Sequence, residues 1–338
     1  MVPGSRSSTS RLLLLALMAL LVVGGSSLLG PTSLDWSEVF GSQTSGPDGP
    51  PNVFWTLRVP RALLAAVAGA GLALSGVVLQ ALFRNPLATP YTLGIASGAS
   101  LGAAIGFLFN VGGYLLGVPV LSLLAFGGAI TAMSFVYLMA RLRTGRDMTH
   151  LLLAGVCIAY MCSAGVLLIT FLAGHAVTND IVMWMIGSLA TLRHGAVVEI
   201  TVVLVPALAL TVYAHRALDL LSMGEELAAS RGVAVGLTVW SCFLLVGLLT
   251  AVIVANCGPI GFVGLMVPHI ARAVVGLRAL PLALGSALIG AAFLAACDGI
   301  ARSLSVYELP VGIITNMLGA AFFFYLLATR DVSYSAGR

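Results

Sequence analysis

Residues 58–103 read RVPRALLAAVAGAGLALSGVVLQALFRNPLATPYTLGIASGASLGA. The uncharged run from Ala62 to Phe83 is long enough to cross a hydrocarbon core as one helix, which takes about 20 residues. Pro86 and Pro90, in FRNPLATPYT, suit no helix interior, so they stop the first helix and restart a second. Two membrane spans joined by a tight polar turn set the reading for the rest of the chain.

Working outward, the composition agrees. Of 338 residues, 59% are hydrophobic and 8% are charged. A soluble domain carries about 25% charged residues, so a water-facing globule is excluded, and so is intrinsic disorder. Long apolar runs interrupted by Gly, Pro or charge give ten candidate helices. They lie near 11–30, 61–82, 92–109, 119–140, 150–173, 195–214, 236–256, 258–276, 281–301 and 310–328. The expected fold is an all-α polytopic membrane protein of about ten transmembrane helices. One ten-helix transmembrane domain over 11–330 sits between short tails, 1–10 and 331–338. Arg6 and Arg11 before LLLLALMALLVV also fit a signal peptide, but GGSSLLG lacks an A-x-A site and a retained first helix is expected.

The charges are informative in kind and in place. All 16 basic residues are Arg. Without Lys there is no P-loop and no Schiff-base amine, so any ATP hydrolysis must come from another chain. With the N-terminus in the cytoplasm, only Arg58, Arg61, Arg193 and Arg302 fall outside and the other twelve fall inside. That positive-inside bias predicts both termini in the cytoplasm. The five Cys residues (Cys157, Cys162, Cys242, Cys257, Cys297) show no C-x-x-C pairing and read as small apolar filler.

The helix interiors are poor in chemistry. Beyond Arg61 at one edge, the spans near 61–82, 92–109, 119–140, 236–256 and 310–328 hold no Asp, Glu, Arg or His. Glu199, His269, Arg272 and Asp298 stand near span ends or breaks. An ion-coupled transporter needs intramembrane relays, and an intramembrane enzyme needs converging acids, bases or ligands. Both readings are disfavoured, and neither a metal nor a cofactor site is expected in this chain. Gly94, Gly98, Gly102 and Gly106 form one helix stripe, which reads as close helix packing or, alternatively, as a smooth conduit wall. Between the sixth and seventh spans, LDLLSMGEELAASRGV (218–233) reads as a short surface helix. Ser222 and Glu225 have capping-box spacing, and Gly232 sits at a C-cap position. Met223 and Leu227 on such a helix would be exposed without a partner.

The opening stretch resembles the FecCD-type permeases of type II ABC importers, which move ferric siderophores, haem and cobalamin. The likeness continues through LLLAGV (151–156), MWMIGSL (183–189) and GEELAASRGV (224–233). It also takes in GPIGFVGLMVPHIAR (258–272) and ELPVGIITNMLGAAFFF (308–324). The resemblance implies a homodimer in the bacterial inner membrane, embedded in lipid and with no nucleic-acid partner. Two cytoplasmic ATPase subunits, which hold ATP and Mg, dock on one side and a substrate-binding protein on the other.

It further implies that 218–233 is the coupling segment, with Met223, Glu225, Glu226, Leu227, Arg231 and Gly232 meeting the ATPase. Arg58, Arg61 and Arg302 match positions that receive acidic side chains of the binding protein. Asn85, Pro86, Leu87, Met148 and Thr149 match gate segments, where Met148 departs from the small hydroxyl residue often found there. Tyr160, Asn316 and Met317 fall on pathway-lining helices. The cargo expected is a bulky ferric siderophore, with cobalamin or haem as the alternative, and selectivity resting mostly with the binding protein.

Overall fold

The computed structural model describes residues 5–30, 52–141, 148–190, 194–304 and 308–329. Most of the expected first external loop, the residues 142–147 of the basic turn, Arg193 and the C-terminal tail lie outside the described residues. So do the first four residues.

The described chain is almost entirely helical. In order it forms α1 (Ser5–Leu28), α2 (Val59–Leu82), α3 (Ile95–Leu108), α4 (Val120–Arg141), α5 (Met148–Leu172) and α6 (His175–Ile186). There follow α7 (His194–Tyr213), α8 (His215–Met223), α9 (Glu225–Ser230), α10 (Val235–Cys257), α11 (Val263–Val275), α12 (Ala279–Ser303) and α13 (Val311–Thr329). A π-helical turn, Phe54–Arg58, leads into α2, and a 3-10 turn, Pro90–Leu93, leads into α3. Two two-residue strands, Tyr114–Leu115 and Val118–Pro119, close the connection between α3 and α4.

Each of the ten apolar regions carries a helix. Among the described residues eight helices are long and apolar enough to cross a membrane, and the helices in the other two regions, α3 and α11, are shorter. The third region shortens because Thr89 caps the 3-10 turn: its hydroxyl accepts from Thr92 N–H while the Thr92 hydroxyl accepts from Thr89 N–H. The eighth begins late because Gly258 (φ 68°) and Phe262 (φ 65°) hold left-handed backbone before Val263.

Helix α2 is the central strut, buried along most of its length and packed on α1, α7, α8, α10, α11 and α12. Lipid tails are as apolar as Leu, so contact distance must supply cohesion, and small residues allow it. A Cβ on Gly69 would overlap the Gly290 carbonyl of α12, and one on Gly76 would overlap the Gly264 carbonyl of α11. The stripe on α3 has the same purpose: Gly98 lies against Gly128 and Gly102 against Leu124 of α4. Close helix packing, not a bare conduit wall, is therefore what those glycines serve. Substituting Gly69→Leu should cost about 1–3 kcal/mol or more through overpacking. Gly127→Leu, whose added Cβ meets nothing within 4 Å, should be near neutral. Thermal unfolding of the purified protein in detergent compares the two.

Helix α12 connects the two ends of the bundle. Asp219 of α8 accepts from Ala279 N–H at 2.7 Å through Oδ1, capping the first turn where the helix dipole favours an anion. Its other end carries Asp298 and Arg302, about 30–35 Å away at 1.5 Å per residue.

Candidate docking, coupling and pathway surfaces

At the far end of α12 the three arginines expected to receive the binding protein come together. Their placement starts with the π-helical turn and α2, which set Arg58 and Arg61 one turn apart, and with α12, which sets Asp298 and Arg302 four residues apart on one face. Arg61 Nε lies 3.0 Å from Asp298 Oδ1, and Arg302 Nε lies 3.0 Å from Asp298 Oδ2. One carboxylate thus bridges two guanidinium groups. Arg302 also donates to the carbonyls of Leu29 and Ser26, each at 2.9 Å, and Arg58 donates to Leu28 at 3.2 Å. These contacts serve carbonyls at and just past the end of α1, where Ser26 O also accepts from Leu29 N–H at 3.2 Å. Arg61 Nη1 completes the cluster by pairing with Glu308 at 2.5 Å.

The three arginines expected to meet the binding protein are held within the chain itself. Arg58, Arg61 and Arg302 are all buried within this chain, at 6%, 7% and 3% exposure. Among the described residues of this cluster, the exposed charge is Glu308, whose side chain is 43% accessible. Sequence reasoning did not single out Glu308 as a site residue and read Asp298 as a span-end residue. The signal for Asp298 was available: an acid inside an apolar run demands a partner.

The opposite end of the bundle carries the segment 218–233. It is two helices, not one. Gly224, at φ 143° and ψ 146°, breaks α8 from α9 in a conformation open to glycine. The expected capping box does not form: the Ser222 hydroxyl donates back to Asp219 O at 2.6 Å, within α8. Glu225 and Glu226 instead occupy the first turn of α9, where the dipole favours them. The expected Gly232 stop is present. Gly232 has φ 81°, its N–H donates to Ala229, and Val233 N–H donates to Ala228, the paired bonds of a Schellman close. Met223, Glu226, Leu227, Arg231 and Gly232 are exposed, while Leu218, Leu221 and Ala228 anchor the elbow in the core.

Between these ends lies a cavity of about 390 Å³ lined by Leu72, Tyr91, Met185, Phe262 and Asn316, among others. Asn316 of α13 is the expected pathway residue that reaches it; a Cβ on Gly261 would meet Asn316 Oδ1. Tyr160 (76% exposed) and Met317 (68%) face away from the single chain. The turn at Asn85, Pro86 and Leu87 is shaped by Asn85 itself, whose Oδ1 accepts from Leu87 N–H at 2.9 Å. Leu87 projects outward at 57% exposure. Met148 and Thr149 open α5, which crosses the 3-10 turn where Gly155 packs on the Thr92 carbonyl. Nothing further is placed by their side chains, which lie outside the described set. A second polar pair, Asn256 Nδ2 donating to Glu199 Oε2 at 3.0 Å, ties α10 to α7. No group of three His, Cys, Asp or Glu suited to a metal occurs among the described residues.

A helical bundle with apolar spans, and ionic groups gathered toward its two ends, is the architecture of a multi-pass membrane transport protein. The comparisons with known proteins define it further. The chain belongs to the FecCD transport family, whose model matches residues 12–329. It is 35% identical over 324 residues to the hemin transport system permease protein HmuU of Yersinia pestis, covering 94% of this chain and 93% of that one. It is 40% identical over 280 residues to the cobalamin import system permease protein BtuC of Halobacterium salinarum, covering 82% and 73%. A solved ABC transporter assigned to the metal-chelate type, in an inward-facing conformation, superimposes with a TM-score of 0.82 at 31% identity. It covers 96% of this chain and 100% of that one.

Proposed function

We propose that this chain is the permease subunit of an ATP-driven importer that carries a bulky iron chelate, a ferric siderophore, across the bacterial cytoplasmic membrane. Both termini lie in the cytoplasm, and a second copy of the chain completes the central pathway. Two ATPase subunits, holding ATP and Mg, meet the α8–α9 elbow, and a binding protein delivers cargo at the arginine end.

The observation that carries this reading is the separation of chemistry along α12. An exposed elbow ending in Leu227 and Arg231 caps one end, an ionic cluster built on Asp298 closes the other, and the cavity between has mostly apolar, uncharged walls. Such a wall suits a large cargo that must pass without being held tightly. Exposure of Tyr160 and Met317 on the single chain fits a wall that closes only against a second copy. Transport by alternating access then needs no relay inside the spans, because the driving step occurs in the ATPase and reaches the bundle through the elbow.

The decisive test co-reconstitutes the permease with its ATPase and binding protein in proteoliposomes and supplies ferric siderophore, haem or cobalamin. Uptake of the ferric siderophore should require ATP and all three components. Preference for haem or cobalamin would reassign the cargo within the same class. Uptake driven by an ion gradient without ATP would overturn the importer reading.

A further inference from the structure

The ionic cluster at the arginine end is unequal in how tightly its members are held. Arg302 is committed on every side: Nε to Asp298, and both Nη atoms to carbonyls of Leu29 and Ser26. Arg58 sits against Gly30 with Nη1 on the Leu28 carbonyl. Asp298, with a side chain 1% exposed, is sealed beneath them. Arg61 differs. Its Nε side faces the sealed Asp298, but its Nη1 side is covered by Glu308, the one acid of the cluster that reaches solvent.

This arrangement restricts what can replace Glu308. Withdrawing it alone would leave a nearly buried guanidinium with an uncovered Nη edge, which is costly. Withdrawing it as another carboxylate arrives leaves the same number and kind of charged hydrogen bonds. Among the described residues the cluster carries three arginines against two acids, a net of +1, so it attracts an incoming acid even when closed. We propose that Glu308 is an internal stand-in for a carboxylate of the docking partner. It covers Arg61 in the unbound permease and is exchanged, carboxylate for carboxylate, when an acidic side chain of the binding protein seats there. The proposal rests on the docking role assigned to the arginines above.

The exchange acts on the cavity because of where Glu308 stands in the chain. Only Leu309 and Pro310 separate it from the start of α13. At that start Gly312 N–H donates to Gly187 O at 3.3 Å and lies too close to the Ile186 carbonyl for any side chain. Asn316, five residues or about 7.5 Å along α13 from its first residue, lines the cavity. Releasing Glu308 therefore removes one of the ties at the head of the helix that holds Asn316, so docking is felt at the cavity.

The test uses the complete transporter in lipid nanodiscs and the purified binding protein, with affinity measured at several salt concentrations. Glu308→Gln keeps the size and removes the charge, so it no longer competes for Arg61. Docking should tighten by about three- to tenfold, mainly through slower dissociation. In an Arg61→Gln background the same substitution should have no effect on affinity, and Arg61→Gln alone should weaken docking. If Arg61→Gln weakens docking but Glu308→Gln leaves affinity unchanged or lowers it, the stand-in is overturned and the docking role survives. If neither substitution alters affinity, the docking role fails and the stand-in fails with it. Should Arg61→Gln not fold, hydrogen exchange of the wild-type complex decides. Amides of 311–313 should exchange faster once the binding protein is added, and unchanged or slower exchange there overturns the proposal.

Discussion

Replacing Asp298 by Ala is expected to destabilise the permease by about 3–5 kcal/mol. The side chain is 1% exposed and bridges Arg61 and Arg302, which are nearly as deeply buried. Its loss leaves two buried cations with no sealed counter-charge. Glu308 can answer only one of them, from the solvent side. Asp298→Asn should be nearly as damaging, because it keeps the volume and two polar atoms but removes the charge that both guanidinium groups share. Glu308→Gln, at the exposed edge, should cost less than about 1 kcal/mol. Thermal unfolding in detergent distinguishes the series. A fall below about 1 kcal/mol for both Asp298 variants would mean that Glu308 holds Arg61, and the carbonyls of Ser26 and Leu29 hold Arg302, without it.

Reversing the charge of Glu226 is expected to separate transport from ATP hydrolysis. Glu226 stands exposed in the first turn of α9, beside Leu227, on an elbow whose buried residues are Leu218, Leu221 and Ala228. Within the chain its contribution is local, about 0.3–1 kcal/mol of favourable placement at a helix N-terminus, so Glu226→Arg should still fold. Across an interface the same reversal places like charges together or breaks a pair, and can cost several kcal/mol. In proteoliposomes containing the whole transporter, ATP-driven uptake should fall at least about tenfold. Hydrolysis measured alongside should persist but no longer respond to the loaded binding protein. Full uptake by the variant would remove Glu226 from the coupling surface.

The span positions were legible because a hydrocarbon core imposes a length, and runs such as Ala62–Phe83 and Gly236–Asn256 meet it with few interruptions. The glycine stripe of α3 was legible as a seam because a four-residue step stays on one face. Helix α6 was not read as a helix: His175, Asn179 and Asp180 interrupt its apolar pattern, and only packing against α3, α5 and α13 reveals it. The elbow was half legible. Gly232 declared its left-handed stop, but Ser222 and Glu225 have capping-box spacing in sequence whether or not Gly224 lets the helix run on. Asp298 was present in the sequence with Arg302 four residues on, but its second partner was not legible, since Arg61 is separated from it by 237 residues. Pairings of that kind are decided by how α2 crosses α12, and no local pattern encodes a crossing.

Helix α12 has a mechanical consequence. It is one unbroken helix from Ala279 to Ser303, held by a carboxylate at its first residue and clamped by ionic groups in its last two turns. A rod of this length, tilted about 5° at the Asp219 end, sweeps its Arg302 end through about 3 Å. That distance is the difference between an ion pair made and an ion pair broken. A small rocking of the elbow therefore reaches the opposite membrane face as a change in which charges touch, with no segment of the chain having to unfold on the way.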